Sequence, residues 1–447
     1  MNKGLTMLHF FRRPDMFVIN RRRDLFLELL TLLLIMMLSI TTFLVIISNP
    51  KARSVYSSDA PKDSINGQHS FTLQSRENLK FANSASLIDG IKEYYKAWPP
   101  AFPTTLYFFK KIKIPPLLVN LLIYLINVGW FYFYLKKNNL NTSVKYLIFF
   151  SYAAGVFHYQ NLAIQVVSEG LFILTAQLIF TLILHYSKES NYQTLIGLGI
   201  LTSFSILTKY FGLFWIFPIV SVCIFIYKKD TLIGLRNVVV YGIVSILPTI
   251  PWFSWSYKTT GHLTGWSRSS ERLISHLTDF NHNVYFSLKT YYIDFFSRDW
   301  ASHGVIRMKY DFQIWDLFVL LLLSIIAIST CKVVRDRIKG KPLIELKRIL
   351  RVIKDDNLLL LLLTFSVSYL LVILTLWTLS NNDPIYTRFM YPSYPFLILT
   401  IVKLYDVFMK KTHHPYYSAL FNAFIVTILA SQSYKTIVLF KRYMQGL

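Results

Sequence analysis

Residues 25–48 of this chain read LFLELLTLLLIMMLSITTFLVIIS, an apolar run directly behind Arg21-Arg22-Arg23. An α-helix needs about 20 apolar residues to cross the hydrocarbon core of a bilayer, so this run is long enough to do so. It is too long for the core of a signal peptide, and the SNP that follows supplies no small-x-small cleavage site, so the segment reads as an uncleaved anchor. The rest of the chain has the same character. Of 447 residues, 54% are apolar and 16% charged, whereas a soluble chain of this length would need several domains with charged surfaces.

Further apolar runs are expected to span at 115–135, 144–160, 163–186, 192–209, 211–227, 237–255, 313–331, 357–380, 389–407 and 416–434, giving about 11 transmembrane helices in an all-α integral membrane fold. Lys and Arg are denser in the short segments that lie inside if the N-terminus is cytoplasmic. The largest share falls between Lys332 and Lys354, and this bias predicts that orientation. The expected division is a basic tail at 1–24, an anchor at 25–48, an outer loop at 49–114, transmembrane helices 2–7 at 115–255, a second outer loop at 256–312, and C-terminal helices at 313–447 with a basic cytoplasmic loop at 332–356. That loop reads as an amphipathic helix lying on anionic lipid. The net charge of +24 is explained by topology and attraction to anionic lipid, because no basic stripe on a soluble module points to nucleic acid. Cys223 and Cys331 fall in separate spans, which excludes a disulfide framework and a cysteine zinc site.

Outer loop 49–114 is too long for a connector. Phe81, Ala85, Ile88 and Ile91 follow helical spacing and predict an amphipathic helix in the headgroup region. Trp98-Pro99-Pro100-Ala101-Phe102-Pro103 then ends any helix and turns the chain back to the membrane. There is no P-loop and no G-x-G-x-x-G, which fits a lipid-linked rather than a nucleotide donor.

These segments resemble the GT-C glycosyltransferases, and more narrowly the bacterial relatives of protein O-mannosyltransferases and of the lipid A aminoarabinose transferase. Glu77, Asn78, Phe81, Ala85 and Ile88 fall on that family's D-S-x-x-Y-x-x-x-A-x-x-L loop spacing, with Gly90 one residue early and Trp98–Pro103 on its W/Y-P-P-x-Y/F-P run. Ser168-Glu169 in VVSEGLFIL, Lys209 in LTKYFGL, PWFSWSYKTTGHLTGW with Lys258 and Gly265, and Arg388 in YTRFMYPSYP resemble later family segments in the same order.

The resemblance implies an inverting sugar transfer from a polyprenyl-phosphate donor to a lipid, glycan or protein hydroxyl at the outer face of a bacterial cytoplasmic membrane. Glu77 stands where the family's loop Asp stands and is the expected general base, with Asp59, Asp63 and Asp89 as alternatives. Glu169 is expected within about two turns of the outer mouth of its helix, either as a second carboxylate orienting the acceptor or as one half of an ion pair with a neighbouring helix. With Glu77 it would hold magnesium or manganese, if a metal is used. Lys209, Arg388 and Arg268 are the expected phosphate contacts, and Trp98 and Tyr210 the expected acceptor or sugar contacts; Trp252 and Trp266 are further stacking candidates. An O-antigen-type polymerase and a lipid-linked substrate transporter or flippase are the competing functions. The acidic first outer loop speaks against the first of these, and the lack of internal repeats against the second.

Overall fold

The computed structural model describes residues 69–94, 98–138, 140, 144–146, 148–150, 152–153, 168–226, 231–263, 356–379, 391–406 and 421–427, with isolated helical positions at 26, 30, 33, 37, 317, 321, 324 and 325. Among these residues the fold is all-helical, with no strand. Three short helices come first: α1 (His69–Ala82), α2 (Leu87–Glu93) and α3 (Ala101–Lys111). The bundle follows as α4 (Pro116–Lys136), α5 (Glu169–Glu189), α6 (Tyr192–Thr208), a 3-10 turn (Tyr210–Trp215), α7 (Ile216–Ile226) and α8 (Thr231–Ile246). After a 3-10 turn at Leu247–Thr249 come α9 (Ile250–Thr260), α10 (Asn357–Leu379), a 3-10 turn (Tyr391–Ser393) and α11 (Tyr394–Leu404).

Among the described residues three helices are long and apolar enough to cross a membrane: Pro116–Lys136, Glu169–Glu189 and the continuous rod Leu232–Thr260. The way α4 turns its residues supports a lipid environment. Asn120, Tyr124, Asn127 and Tyr134 face inward and are buried, while Leu118, Leu122, Ile126 and Phe133 face outward. Asn127 is 0% exposed beside Ile126 at 53%, so polar side chains turn inward while the apolar face turns out, the reverse of a water-soluble helix.

Local signals set the helix ends. Pro116 occupies the first turn of α4, where its missing N–H costs nothing. Ser190 takes a left-handed conformation at the end of α5 and Asn191 caps α6, its side chain accepting from the Gln193 N–H at 2.9 Å. The α5–α6 pair is therefore a tight antiparallel hairpin, tied by Thr175 Oγ1 donating to Ser205 Oγ at 3.0 Å. Trp215 fills the centre of the bundle, stacked on Phe365 and Tyr369 of α10, and Phe180 of α5 packs on Phe365 and on Phe396 of α11. Much of the chain's aromatic content is spent on this packing.

Several expected boundaries move. The span expected at 163–186 is a helix from Glu169 to Glu189, with Ser168 as its N-cap; 163–167 lies outside the described residues. The span expected at 237–255 begins at Thr231 and runs helically to Thr260. Asn237, at the expected edge, is in fact well inside the helix, buried and donating to Tyr186 Oη at 3.0 Å. Residues expected at 211–227 and 389–407 begin as 3-10 turns before becoming α-helical. The spans at 25–48, 313–331 and 416–434 lie largely outside the described residues, as does the basic loop 332–356 apart from Asp356.

The single amphipathic helix expected through Phe81, Ala85, Ile88 and Ile91 is instead two helices. The chain breaks at 83–86, where Ser86 caps α2 by accepting from the Asp89 N–H at 3.1 Å. Phe81 is buried but Ala85 and Ile88 are exposed, so these positions do not share one face. Gly90 permits the fold-back, because a Cβ there would come 2.6 Å from Ser84 Oγ and 3.3 Å from the Phe81 ring. Nor does the Pro-rich run merely end a helix. Pro100 caps α3 and Pro103 sits in its first turn, where backbone N–H groups have no helical partner in any case.

Gly212 packs the 3-10 turn against the end of α6; a Cβ would lie 2.5 Å from Ile206 N and Ser205 C. Backbone atoms cannot step aside as a side chain can. Gly212→Ala is expected to destabilise by about 1–3 kcal/mol, read as a lowered melting temperature in detergent. Gly129→Ala, where a Cβ meets nothing within 4 Å, is expected to melt at or above the wild-type temperature.

Candidate functional site

Glu169 is the first residue of α5, and the N-terminal end of a helix dipole favours its charge. The interhelical bonds Asn127–Gly170, Gln177–Asn127 and Trp130–Thr181 set α5 parallel to α4. That register places the start of α5 roughly two turns, about 10 Å, along α4 from Pro116. The carboxylate consequently lies inside the bundle rather than on its rim.

Lys209 meets it from the next strand of the hairpin. At the end of α6 the chain leaves helical geometry, with Lys209 extended at φ −150° and ψ 136° before the 3-10 turn begins. This swings the side chain across the hairpin, and Nζ lies 2.7 Å from Glu169 Oε1. The Glu169 side chain is 2% exposed and that of Lys209 12%, so this is a buried ion pair. The rest of the 3-10 turn then carries Tyr210 to the neighbouring rod, where Trp252 Nε1–H donates to its hydroxyl at 3.1 Å.

The short helices α1–α3 close this end of the bundle. Ala82 of α1 and Phe102 and Leu106 of α3 pack with Val119, Ile123, Leu171 and Leu174. Gln74 of α1 donates from Nε2 to Ser168 Oγ at 3.1 Å. Ser168 is thereby used as a docking acceptor for α1, one residue before Glu169. Gln74, Glu77, Asn78 and Phe81 fall at i, i+3, i+4 and i+7, a single face of α1. Glu77 is thus about one turn, roughly 5 Å of helix rise, from the residue that touches Ser168.

Electrostatics places Glu77 from the other side. Tyr94 is buried and its hydroxyl donates to Asn78 Oδ1 at 2.8 Å. Burial first, then the charge of Glu77 and the Tyr210 hydroxyl, hold the Tyr94 phenol well above its ordinary pKa, so it stays a neutral donor. Phe81, Tyr94, Tyr107 and Trp252 form an aromatic cluster, and Trp98, Tyr210 and Trp255 pack against it. Glu77 therefore lies near the Tyr94 phenol, on the face of α1 that docks through Gln74 on Ser168.

Of the expected site residues, Glu169 and Lys209 are in direct contact, Tyr210 and Trp98 belong to the adjoining wall, and Glu77 lies on the α1 face that docks beside them. Arg268 and Arg388 lie outside the described residues, as do Trp266 and the alternative bases Asp59 and Asp63. Asp89 is occupied locally, accepting from Ser86 Oγ at 2.6 Å in the α2 cap. Lys258 is exposed on α9. Gln74 and Tyr94 were not anticipated as site residues. Helical spacing from Glu77 points to Gln74 at i−3, but only the fold-back at 83–86 brings Tyr94 to Asn78.

Comparison with family models, curated proteins and solved structures finds no match to the chain. A divalent ion shared by Glu77 and Glu169 does not fit well: Lys209 already supplies a full positive charge at Glu169 Oε1. Among the described residues no group of three or more His, Cys, Asp or Glu could hold a metal ion.

Removing one partner of a buried ion pair strands the other charge, at a cost of about 3–5 kcal/mol. Lys209→Met and Glu169→Gln are each expected to lower the melting temperature of the purified protein markedly. The double variant is expected to recover most of the loss, and a double-mutant cycle on thermal melts measures the coupling.

Proposed function

We propose that the chain is a membrane glycosyltransferase of the GT-C type. It takes a sugar from a polyprenyl-phosphate-linked donor and transfers it to an acceptor hydroxyl on a lipid, glycan or protein. The finer architecture belongs to the same proposal: about 11 spans, the N-terminus cytoplasmic, and the α1–α3 end on the outer face of a bacterial cytoplasmic membrane. One observation carries the reading beyond the sequence resemblance. The helix bearing Glu77 docks through Gln74 on Ser168, the residue before Glu169, which is itself paired with the Lys209 ammonium.

In this reading Glu77 accepts the proton of the acceptor hydroxyl as its oxygen attacks the anomeric carbon. The bond from that carbon to the phosphate oxygen breaks with inversion, and its electron pair leaves with the phosphate. Lys209 neutralises that growing charge. Glu169 is a positioning residue, because it fixes the ammonium through a short ion pair. A neutral Tyr94 next to Glu77 supplies a hydrogen-bond network that orients Asn78 on the same face of α1. Trp98 and Tyr210, in and against the aromatic cluster, would meet the apolar face of a sugar ring. No step is routed through a metal.

The test is transfer from radiolabelled polyprenyl-phosphate sugars in membranes. Wild type is expected to turn over, with Glu77→Gln reducing the rate by about 10²-fold or more and Glu77→Asp retaining activity. If wild type transfers and Glu77→Gln matches it, Glu77 is not the base. If no donor in a broad panel supports transfer, the transporter reading of a buried intramembrane ion pair takes its place.

A further inference from the structure

The opposite end of the bundle carries cations that the proposed reaction does not use. Because α4 and α5 run parallel, their C-terminal ends emerge together, placing Lys137 just past α4 beside Lys188 in the last turn of α5. The two ammonium groups are close enough to repel. Burial first, and then Lys188, draw Lys137 below the ordinary lysine pKa.

The lysine stem does not extend to relieve this. Lys137 Nζ folds back over the Phe133 ring at 4.2 Å and the Tyr134 ring at 4.7 Å from their centroids. The neighbouring carboxylate, Glu189, is turned to His185 at 3.2 Å. Among the described residues no carboxylate pairs with Lys137 or Lys188. Phe133 is exposed on the outward, apolar face of α4, while Trp130, Phe131 and Tyr134 pack into the bundle. Two like charges at the ends of apolar helices, beside the outward face of α4, attract an anion, and next to an apolar helix face the matching chemistry is a lipid phosphate.

We propose that Lys137 and Lys188 form a binding site for the headgroup phosphate of an anionic phospholipid, on the side of the membrane opposite the Glu169–Lys209 site. Both ammonium groups donate to the phosphate oxygens, and the acyl chains lie along the outward Phe133 face of α4. The bound lipid removes the repulsion between the two lysines and fixes the α4–α5 seam at this end.

The experiment uses the full chain in detergent, incubated with phosphatidylglycerol or phosphatidylcholine, with retained lipid counted by native mass spectrometry. Wild type is expected to retain phosphatidylglycerol over phosphatidylcholine. Lys137→Ala/Lys188→Ala is expected to lower that retention by about tenfold or more, since each lysine near an anionic lipid contributes about 1 kcal/mol. Lys137→Arg/Lys188→Arg keeps both charges and is expected to keep the lipid, which separates loss of the site from loss of the fold. Lys111→Ala/Lys113→Ala, at the other end of α4, is expected to change nothing. Equal retention of the two lipids, undiminished retention in the double-alanine variant, or an equal loss in the Lys111/Lys113 control overturns the proposal. So does displacement of phosphatidylglycerol by millimolar inorganic phosphate, which would make this a site for the free anion.

Discussion

The pairing of Glu169 with Lys209 is the constraint around which this end of the molecule is organised. Two charges removed from water cost several kcal/mol each unless their geometry is good, so both ends of the pair must be fixed by backbone rather than by flexible side chains. The structure does this twice. Glu169 occupies the first turn of α5, where position and dipole are set by the helix itself. Lys209 occupies a single extended residue between a helix and a 3-10 turn, held there by the contact of Gly212 with Ser205 and Ile206. The hairpin turn at Ser190–Asn191, far from the site, sets the register that makes the two ends coincide.

Such a pair also has to be covered. The segment 69–111 ahead of the bundle supplies the cover, and it does so because it is broken. A continuous helix through residues 69–93 could not present both Asn78 and Tyr94 to one another. Folding back at 83–86 brings the phenol to the amide and builds the aromatic wall from residues on α1, α2, α3 and α9. The same fold-back leaves Ile88 exposed, a large apolar side chain suited to the headgroup region where a lipid-linked substrate would approach.

How far this was legible in the sequence depended on which physical signal was at work. Apolar run length is a one-dimensional quantity, and it located α4, α6 and α10 within a residue or two of their observed ends. It missed the first six residues of α8, a stretch that includes Arg236 and leads into Asn237, which is buried against Tyr186. Burial depends on what faces a residue across the bundle, and no window of sequence contains that. Likewise Phe81, Ala85, Ile88 and Ile91 kept helical spacing by arithmetic alone, while the Ser86–Asp89 cap inside the interval was the stronger local signal. The candidate site divided in the same way. Glu169 and Lys209 could each be picked out as charges at span edges, but their pairing required the hairpin register. Gln74 was one helical turn from Glu77 throughout, yet nothing in sequence showed that Ser168 would be its acceptor.

The docking of α1 also bears on why a glutamate can stand at position 77. Relative to an aspartate its carboxylate reaches about 1.5 Å further, and a reach of that size matters only if the backbone behind it is fixed. Here the Cα of Glu77 is located by Gln74 on Ser168 one turn before it and by Phe81 in the aromatic cluster one turn after. Between two such anchors the helix has little freedom to slide, so the reach of the Glu77 side chain is set by the backbone that carries it.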